Sequence, residues 1–218
     1  MSRTGRIVTV LASTAVVIAL IAWYVVAWVV AFPPTVKAAT SSAGTRLTLQ
    51  TVASYGHAPH PDWVSYLIKN AGGEWVHSTV FQVPANSVVT VTIYQYDTAT
   101  GLRNPFLSQP RGVLGGEMTV DGKPLHVLDP DLASHTFTIP DLGVSVPLKG
   151  VADDAPRQCA VTPCTLAQAH TTVTFRFHTG APGWHRWQCF VPCGAGWIFG
   201  NGGPMQSMGW MDGYLHVV

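Results

Sequence analysis

The chain has 218 residues, 11% of them charged and 47% hydrophobic, with a formal net charge of +1. That length holds one domain plus a targeting or anchoring segment. The basic residues are scattered, which excludes the clustered footprint of a nucleic-acid binder, and the acids at Asp121, Asp129, Asp131, Asp141, Asp153 and Asp154 read as a solvated face.

Arg3 and Arg6 precede a stretch from Ile7 to Phe32 that carries no charge and ends at Pro33 and Pro34. At ~1.5 Å per residue it makes roughly 39 Å of helix, enough to cross a ~30 Å hydrocarbon core with tilt. Trp23, Tyr24 and Trp28 lie toward its outer end, where amphipathic rings favour the interface. The two arginines place residues 1–6 in the cytoplasm and the C-terminal part outside. A cleavable signal peptide is the competing reading, with Val36, Lys37 and Ala38 as its cleavage site. Signal apolar regions run only ~7–15 residues, which favours an uncleaved transmembrane helix over 7–32 in the cell membrane.

Residues 33–44, with two prolines at the start and small polar residues at the end, read as a linker. From 45 to 218 the pattern is of short β runs between turn residues. They are Arg46–Val52, Ser78–Val83, Ser87–Tyr94, Glu117–Val120, His135–Ile139, Thr171–Phe177, Trp184–Phe190 and Tyr214–Val218. Val89, Val91 and Ile93 alternate with Thr90 and Thr92, so the first three should face a core. One segment differs: Trp63, Tyr66 and Leu67 fall at helical spacing and predict a short helix over Pro61–Asn70. About eight short strands with Gly and Pro punctuation make the exported part a mainly β sandwich or barrel.

Outside the membrane, cysteines pair or bind metal. Cys159 and Cys164 flank four residues of a polar, Pro-containing insertion and read as a local disulfide. Cys189 and Cys193 have a Cys-x3-Cys spacing and a second option. His135 stands at the front of an apolar strand, and Met205, Met208 and Met211 recur every third residue after a Gly-rich loop. Imidazole, thiolate and thioether together are a soft donor set suited to copper. Trp184, Trp187, Trp197 and Trp210 would form an apolar shell around it.

No second nitrogen ligand is evident. His185 shares strand parity with Cys189 but lies ~13 Å away along an extended chain. His178 is worse placed, and His170 would need a fold-back of unknown course. His77, His126 and His216 read as ordinary strand or loop residues. His57, His60 and Asp62 form a loose His-x2-His loop, read as solvated. Hydrolase elbows, zinc-protease His-Glu pairs and dinucleotide glycine fingerprints are absent, and no Lys-Ser/Thr follows Gly200–Gly203 to make a phosphate cradle.

The order of these residues, with His135 before the Ile139-Pro140-Asp141-Leu142-Gly143 strand end and Cys189-x3-Cys193-Gly194 near the C-terminus, resembles a cupredoxin. More closely it is similar to the exported copper-A domain of cytochrome c oxidase subunit II and of nitrous oxide reductase. The resemblance covers roughly 75–218, with specific matches at 134–147 and 183–194. It implies a cupredoxin-like Greek-key β-sandwich and copper ligation by His135, Cys189 and Cys193. It also implies a place as an electron-transfer subunit or carrier among the other subunits of a membrane redox complex, not a catalyst on its own. It stops at Trp197. The family pattern continues from the second Cys with x3-His-x2-Met, which here meets Trp197 and Gly200, and no histidine lies between Cys189 and Met211. Three readings stay open: a mononuclear or modified binuclear copper centre completed by methionine, a Cu(I) delivery site, or a disulfide in a metal-free accessory subunit.

Overall fold

The computed structural model describes residues 2–29, 32–57, 60–194 and 203–218, excepting the side chains of Trp28, Val29, His57, His60 and Pro61. The chain divides into two compact units, Met1–Phe32 and Pro33–Val218. In the first, helix α1 (Arg3–Tyr24) runs into a single π-helical turn at Val25–Val29. Ser2 caps its start by accepting the Gly5 N–H at 3.1 Å. Thr9 and Ser13 turn their hydroxyls back onto the carbonyls of Gly5 and Val10, so these two polar side chains are satisfied within the helix. No α1 residue is buried against protein. Within Arg3–Ala27 an 18-residue stretch has a mean hydropathy of 2.4, and the segment is long and apolar enough to cross a membrane, a property that a signal sequence shares.

The second unit is mainly β. Its strands are β1 (Thr35–Lys37), β2 (Ala39–Ser41), β3 (Gly44–His57), β4 (His60–Lys69), β5 (Trp75–Val76), β6 (Val80–Val83), β7 (Val88–Gln95), β8 (Met118–Val120), β9 (Lys123–Leu125), β10 (Ala133–Ile139), β11 (Val144–Lys149), β12 (Thr171–His178), β13 (Gly183–Gln188) and β14 (Asp212–Val217). One sheet has the order β1-β6-β14-β13-β10-β11. The other runs β5-β4-β3-β7-β12-β8-β9, with β2 added beside β3.

The core lies between the sheets. In β7, Val89, Val91 and Ile93 are fully buried while Thr90 and Thr92 are half-buried, as the alternation predicts. At the centre, Trp187 stacks on Phe81 and Phe137 at ring separations of 5.4 and 5.2 Å, and its indole N–H donates to the Thr79 carbonyl at 2.9 Å. Tyr66 of β4 reaches across to β10, where its hydroxyl donates to the Thr136 carbonyl at 3.0 Å. Each such buried ring contributes about 1.5–3 kcal/mol by removal from water, provided its polar tip is bonded, as both are.

Two expectations are corrected. Residues 61–70 do not form a helix; all but Asn70 belong to β4, which pairs with β3. The helical spacing arises because β4 is buried on both faces: Tyr66 and Ile68 face the main core, while Leu67 packs in a second cluster with Val52, Tyr96 and Cys164. A strand covered on both sides loses its period-2 signature. Residues 33–44, read as a linker, include β1, parallel to β6, and β2, antiparallel to β3. Each is too short to show periodicity, and β1 buries only Val36. The strands β5, β9 and β11 also fall outside the predicted runs. In β11, Pro147 argues against a strand in sequence, yet β11 ends its sheet, where a missing N–H is tolerated.

Candidate metal centre

β10 presents His135 just after a register shift between Ala133 and His135, an irregularity that re-aims a side chain. At its far end β10 turns into β11 through Pro140–Leu142 and Gly143, whose φ of 64° is a left-handed conformation that glycine adopts without strain. Cys189 follows β13 directly, held by its N–H donating to the Met211 carbonyl at 2.9 Å. Beyond it burial alternates: Cys189, Val191 and Cys193 are buried, while Phe190 and Pro192 are exposed. The x3 spacing therefore puts both thiols on the inner side of one turn.

There they meet the histidine. Cys193 Sγ lies 2.9 Å from His135 Nδ1, Cys189 Sγ lies 3.8 Å from the same nitrogen, and the two sulfurs are 3.1 Å apart. Both cysteines are free thiols, and neither they nor His135 is more than 4% exposed. The Thr136 N–H points at Cys189 Sγ at 3.4 Å, and the Cys193 N–H donates to Met205 Sδ at 3.2 Å. On its other side, His135 Nε2 is 3.0 Å from Asp97 Oδ2.

The electrostatics are those of a charge pair. Burial opposes a charge on His135, but the hydrogen bond to Asp97, the hydrogen bond to Cys189 and the charges on both outweigh it, and its pKa is pushed up to about 9. Burial likewise opposes ionisation of Cys189, yet hydrogen bonds from Cys193 and His135, with the imidazolium charge, hold it well below the usual thiol value. Cys193, beside that thiolate, is raised. The direction of these shifts favours an imidazolium beside one thiolate, with the proton kept on Cys193.

The donor atoms of His135, Cys189 and Cys193 all lie within 4.8 Å of one another. Donors around one ion, at metal–sulfur and metal–nitrogen lengths near those of zinc (~2.3 and ~2.0 Å), stand about 3.5–3.8 Å apart. A small outward relaxation would accommodate a metal, and the dry, sulfur-rich set suits a soft one.

Of the three methionines, Met205 is brought to the site through Sδ, while Met211 reaches it through its backbone carbonyl, its side chain buried in the main core. Met208 is half-buried in a parallel bridge with Asp212. The tryptophans expected as a shell divide: Trp187 packs with Phe81 and Phe137, and Trp210 with Trp63 and His77. Trp187 and Trp210 are buried, but Trp184 is 51% exposed and stacks on His216 at 3.9 Å, away from the core. Trp197 and residues 200–202 lie outside the described residues, as do the side chains of His57 and His60.

His135 is the one histidine in the cluster among the described residues. His185 faces Asp141 at 3.6 Å, and His170 packs beside Tyr94 and Tyr96. His77 stacks on Tyr55, and His126 faces the Gly116 carbonyl. His178 accepts the Gly180 N–H. Cys159 and Cys164 form the expected disulfide. Sequence reasoning missed Asp97. Its signal was its parity, since it continues the inward odd positions of β7 two residues past the strand's end.

A mainly β sandwich with a buried His-Cys-Cys cluster at a strand end is the class of protein that fold and site define. No family model and no curated protein matches the chain. Among solved structures it is similar to rusticyanin from Thiobacillus ferrooxidans, with 13% identity over 84% of this chain and 82% of that one and a TM-score of 0.36. Reduced rusticyanin gives 14% identity, 84% of each chain and a TM-score of 0.37. A further structure of the copper protein rusticyanin gives 13% identity over 84% of this chain and 82% of that one, with a TM-score of 0.35. The similarity is distant, and what the site can do is read from its own geometry.

Proposed function

We propose that this protein is a membrane-anchored, cupredoxin-like copper protein that carries single electrons within a membrane redox complex, with His135, Cys189, Cys193 and Met205 holding the metal. The observation that carries this reading is the convergence of one imidazole and two unbonded thiols in a fully buried pocket. A copper ion held by His135, Cys189, Cys193 and Met205 would supply a reversible one-electron couple between a reduced donor protein and an oxidised acceptor. The residues do the rest. Thiolates and a thioether suit the reduced ion, and imidazole suits both states. Two strands of one sheet fix His135 and Cys189, which limits rearrangement as charge changes. The Thr136 N–H aimed at Cys189 Sγ stabilises thiolate charge and tunes the potential. Burial of His135, Cys189 and Cys193 excludes water and would slow exchange of the metal with solvent, which favours electron transfer over Cu(I) delivery.

The test is to express the full chain with copper. Intense thiolate-to-copper absorption and an EPR signal are expected, and Cys189→Ser abolishes both. A protein that takes up no copper, with Cys189 and Cys193 unreactive to thiol reagents, would instead be a disulfide-closed accessory subunit. The sulfurs would need to close from 3.1 Å to ~2.05 Å for that bond. Solubility after removal of residues 1–32, with the full chain retained in membranes, supports the anchor.

A further inference from the structure

We infer that Asp97 is the positioning residue of the metal centre, fixing the His135 ring so that Nδ1 faces the thiols and placing a negative charge behind it. This rests on the copper reading above and deepens it.

The inference starts from the parity of β7. Val89, Val91, Ile93 and Gln95 all point inward, and Asp97 continues that face as the chain leaves the sheet. Its backbone is tied down there: the Asp97 carbonyl accepts the Val151 N–H at 2.9 Å and the Gln95 side-chain amide at 3.2 Å. The carboxylate is divided between two partners. Oδ1 accepts the Thr98 N–H at 2.8 Å, which fixes the rotation of the group, and Oδ2 faces His135 Nε2 at 3.0 Å. The imidazole is 1% exposed and the carboxylate 19%, so the contact is shielded on the ring side.

An imidazole that donates from Nε2 to a carboxylate keeps Nδ1 for a metal and cannot rotate without breaking the bond. Nδ1 is the atom that lies against both sulfurs. A carboxylate behind a ligating ring also raises the basicity of the ring and favours the more positive, oxidised state of the centre. A plain structural role, pinning the end of β7 to β10, would explain the contact but neither the choice of a charged group nor an effect on potential.

Two variants of the full-length, detergent-solubilised protein separate these roles. Asp97→Ala removes the acceptor and the charge; Asp97→Asn keeps an acceptor oxygen and removes the charge. Asp97→Ala should weaken copper binding by about 10–100-fold and shift the thiolate-to-copper band. Asp97→Asn should restore the affinity and the band but raise the reduction potential. Affinity, absorption and potential that stay unchanged in Asp97→Ala would overturn the inference, as would an Asp97→Asn protein with wild-type potential. If the wild-type chain takes up no copper, the functional reading fails by itself. Asp97 is then judged on the metal-free protein by ring-nitrogen NMR. A slowly exchanging Nε2–H on His135, lost in Asp97→Ala, supports positioning, and identical ring signals in both overturn it.

Discussion

Thr136 grips the Cys189–Phe190 turn from the neighbouring strand: its N–H points at Cys189 Sγ at 3.4 Å, and its Oγ1 accepts the Phe190 N–H at 2.8 Å. Thr136→Val keeps the shape and the backbone contact but removes the hydroxyl. The same hydroxyl oxygen also accepts from Thr138 Oγ1 at 3.2 Å, so the metal-free variant should lose about 1–2 kcal/mol in denaturant unfolding, at about 1 kcal/mol net per hydrogen bond. Copper uptake should become more variable in spectrum, because Phe190 no longer anchors the turn. An unchanged unfolding midpoint would show that the 2.8 Å contact does not hold the turn in solution.

The imidazolium–thiolate pair gives the metal-free protein a defined pH response. His135 has a folded pKa raised to about 9, so its contribution is complete below about 6.5 and is lost as pH rises toward 9. Cys189 has a folded pKa depressed below 9.0, so its contribution is complete above that value and is lost as pH falls. Between about 6.5 and 9 the two trends oppose one another wherever they overlap, which flattens the slope. Below about 6.5 the His135 contribution no longer changes, so any remaining slope belongs to Cys189, at up to about 1.4 kcal/mol per pH unit. Unfolding measured across this range, with Cys189→Ser as the control, checks it: the variant should have the flatter acid limb. Thiolate absorption in the ultraviolet at neutral pH should be present in the wild type and missing in Cys189→Ser.

Gly213 lies opposite Trp187 in the pairing of β13 and β14. A Cβ there would come 2.0 Å from the Thr79 carbonyl oxygen, the same oxygen that accepts the Trp187 indole N–H. Gly213→Ala should therefore cost at least about 1–3 kcal/mol, the range for overpacking. It should also disturb tryptophan fluorescence. A variant as stable as the wild type would mean that β6 and β14 can separate freely at this point.

The Cys159–Cys164 bridge closes a short loop, for which chain entropy gives about 2 kcal/mol. Cys164 packs with Val52, Leu67 and Tyr96, in a cluster separate from the one that holds Cys189 and Cys193. Cys159→Ser with Cys164→Ser should lower stability by about that amount and leave copper affinity unchanged. A large loss of copper affinity would mean that the two clusters are coupled through β3 and β7.

The sandwich was legible where a strand has one wet face. β7 and β12 alternate cleanly because solvent or a polar cover meets their even positions. It was illegible where both faces are covered, as in β4, where the disulfide-bearing insertion lies over the side turned away from the main core. Cys189 and Cys193 could be singled out because few residue types bind soft metals and the two lie four residues apart, whereas His135, 54 residues from Cys189, joined them only through the family resemblance. Asp97 was passed over because its parity past the end of β7 marks it only as inward-facing and carboxylates are common. Met205 was visible only as one of three equivalent thioethers, and its distinction comes from the fold of the loop, which brings Sδ to the Cys193 N–H.

β10, which carries His135, and β13, which leads into Cys189 and Cys193, meet at a single register pair, Thr138 opposite Gln188, whereas each is paired along its length with its other neighbour. The sheet thus has a seam, and the site lies across it: His135 on one bank, both thiols on the other. A bound ion would act as a clasp on that seam, and its binding free energy would hold the halves of the sheet together. Without the ion, the sheet would part there first, and amide exchange on β10 and β13 would slow together when the clasp is closed.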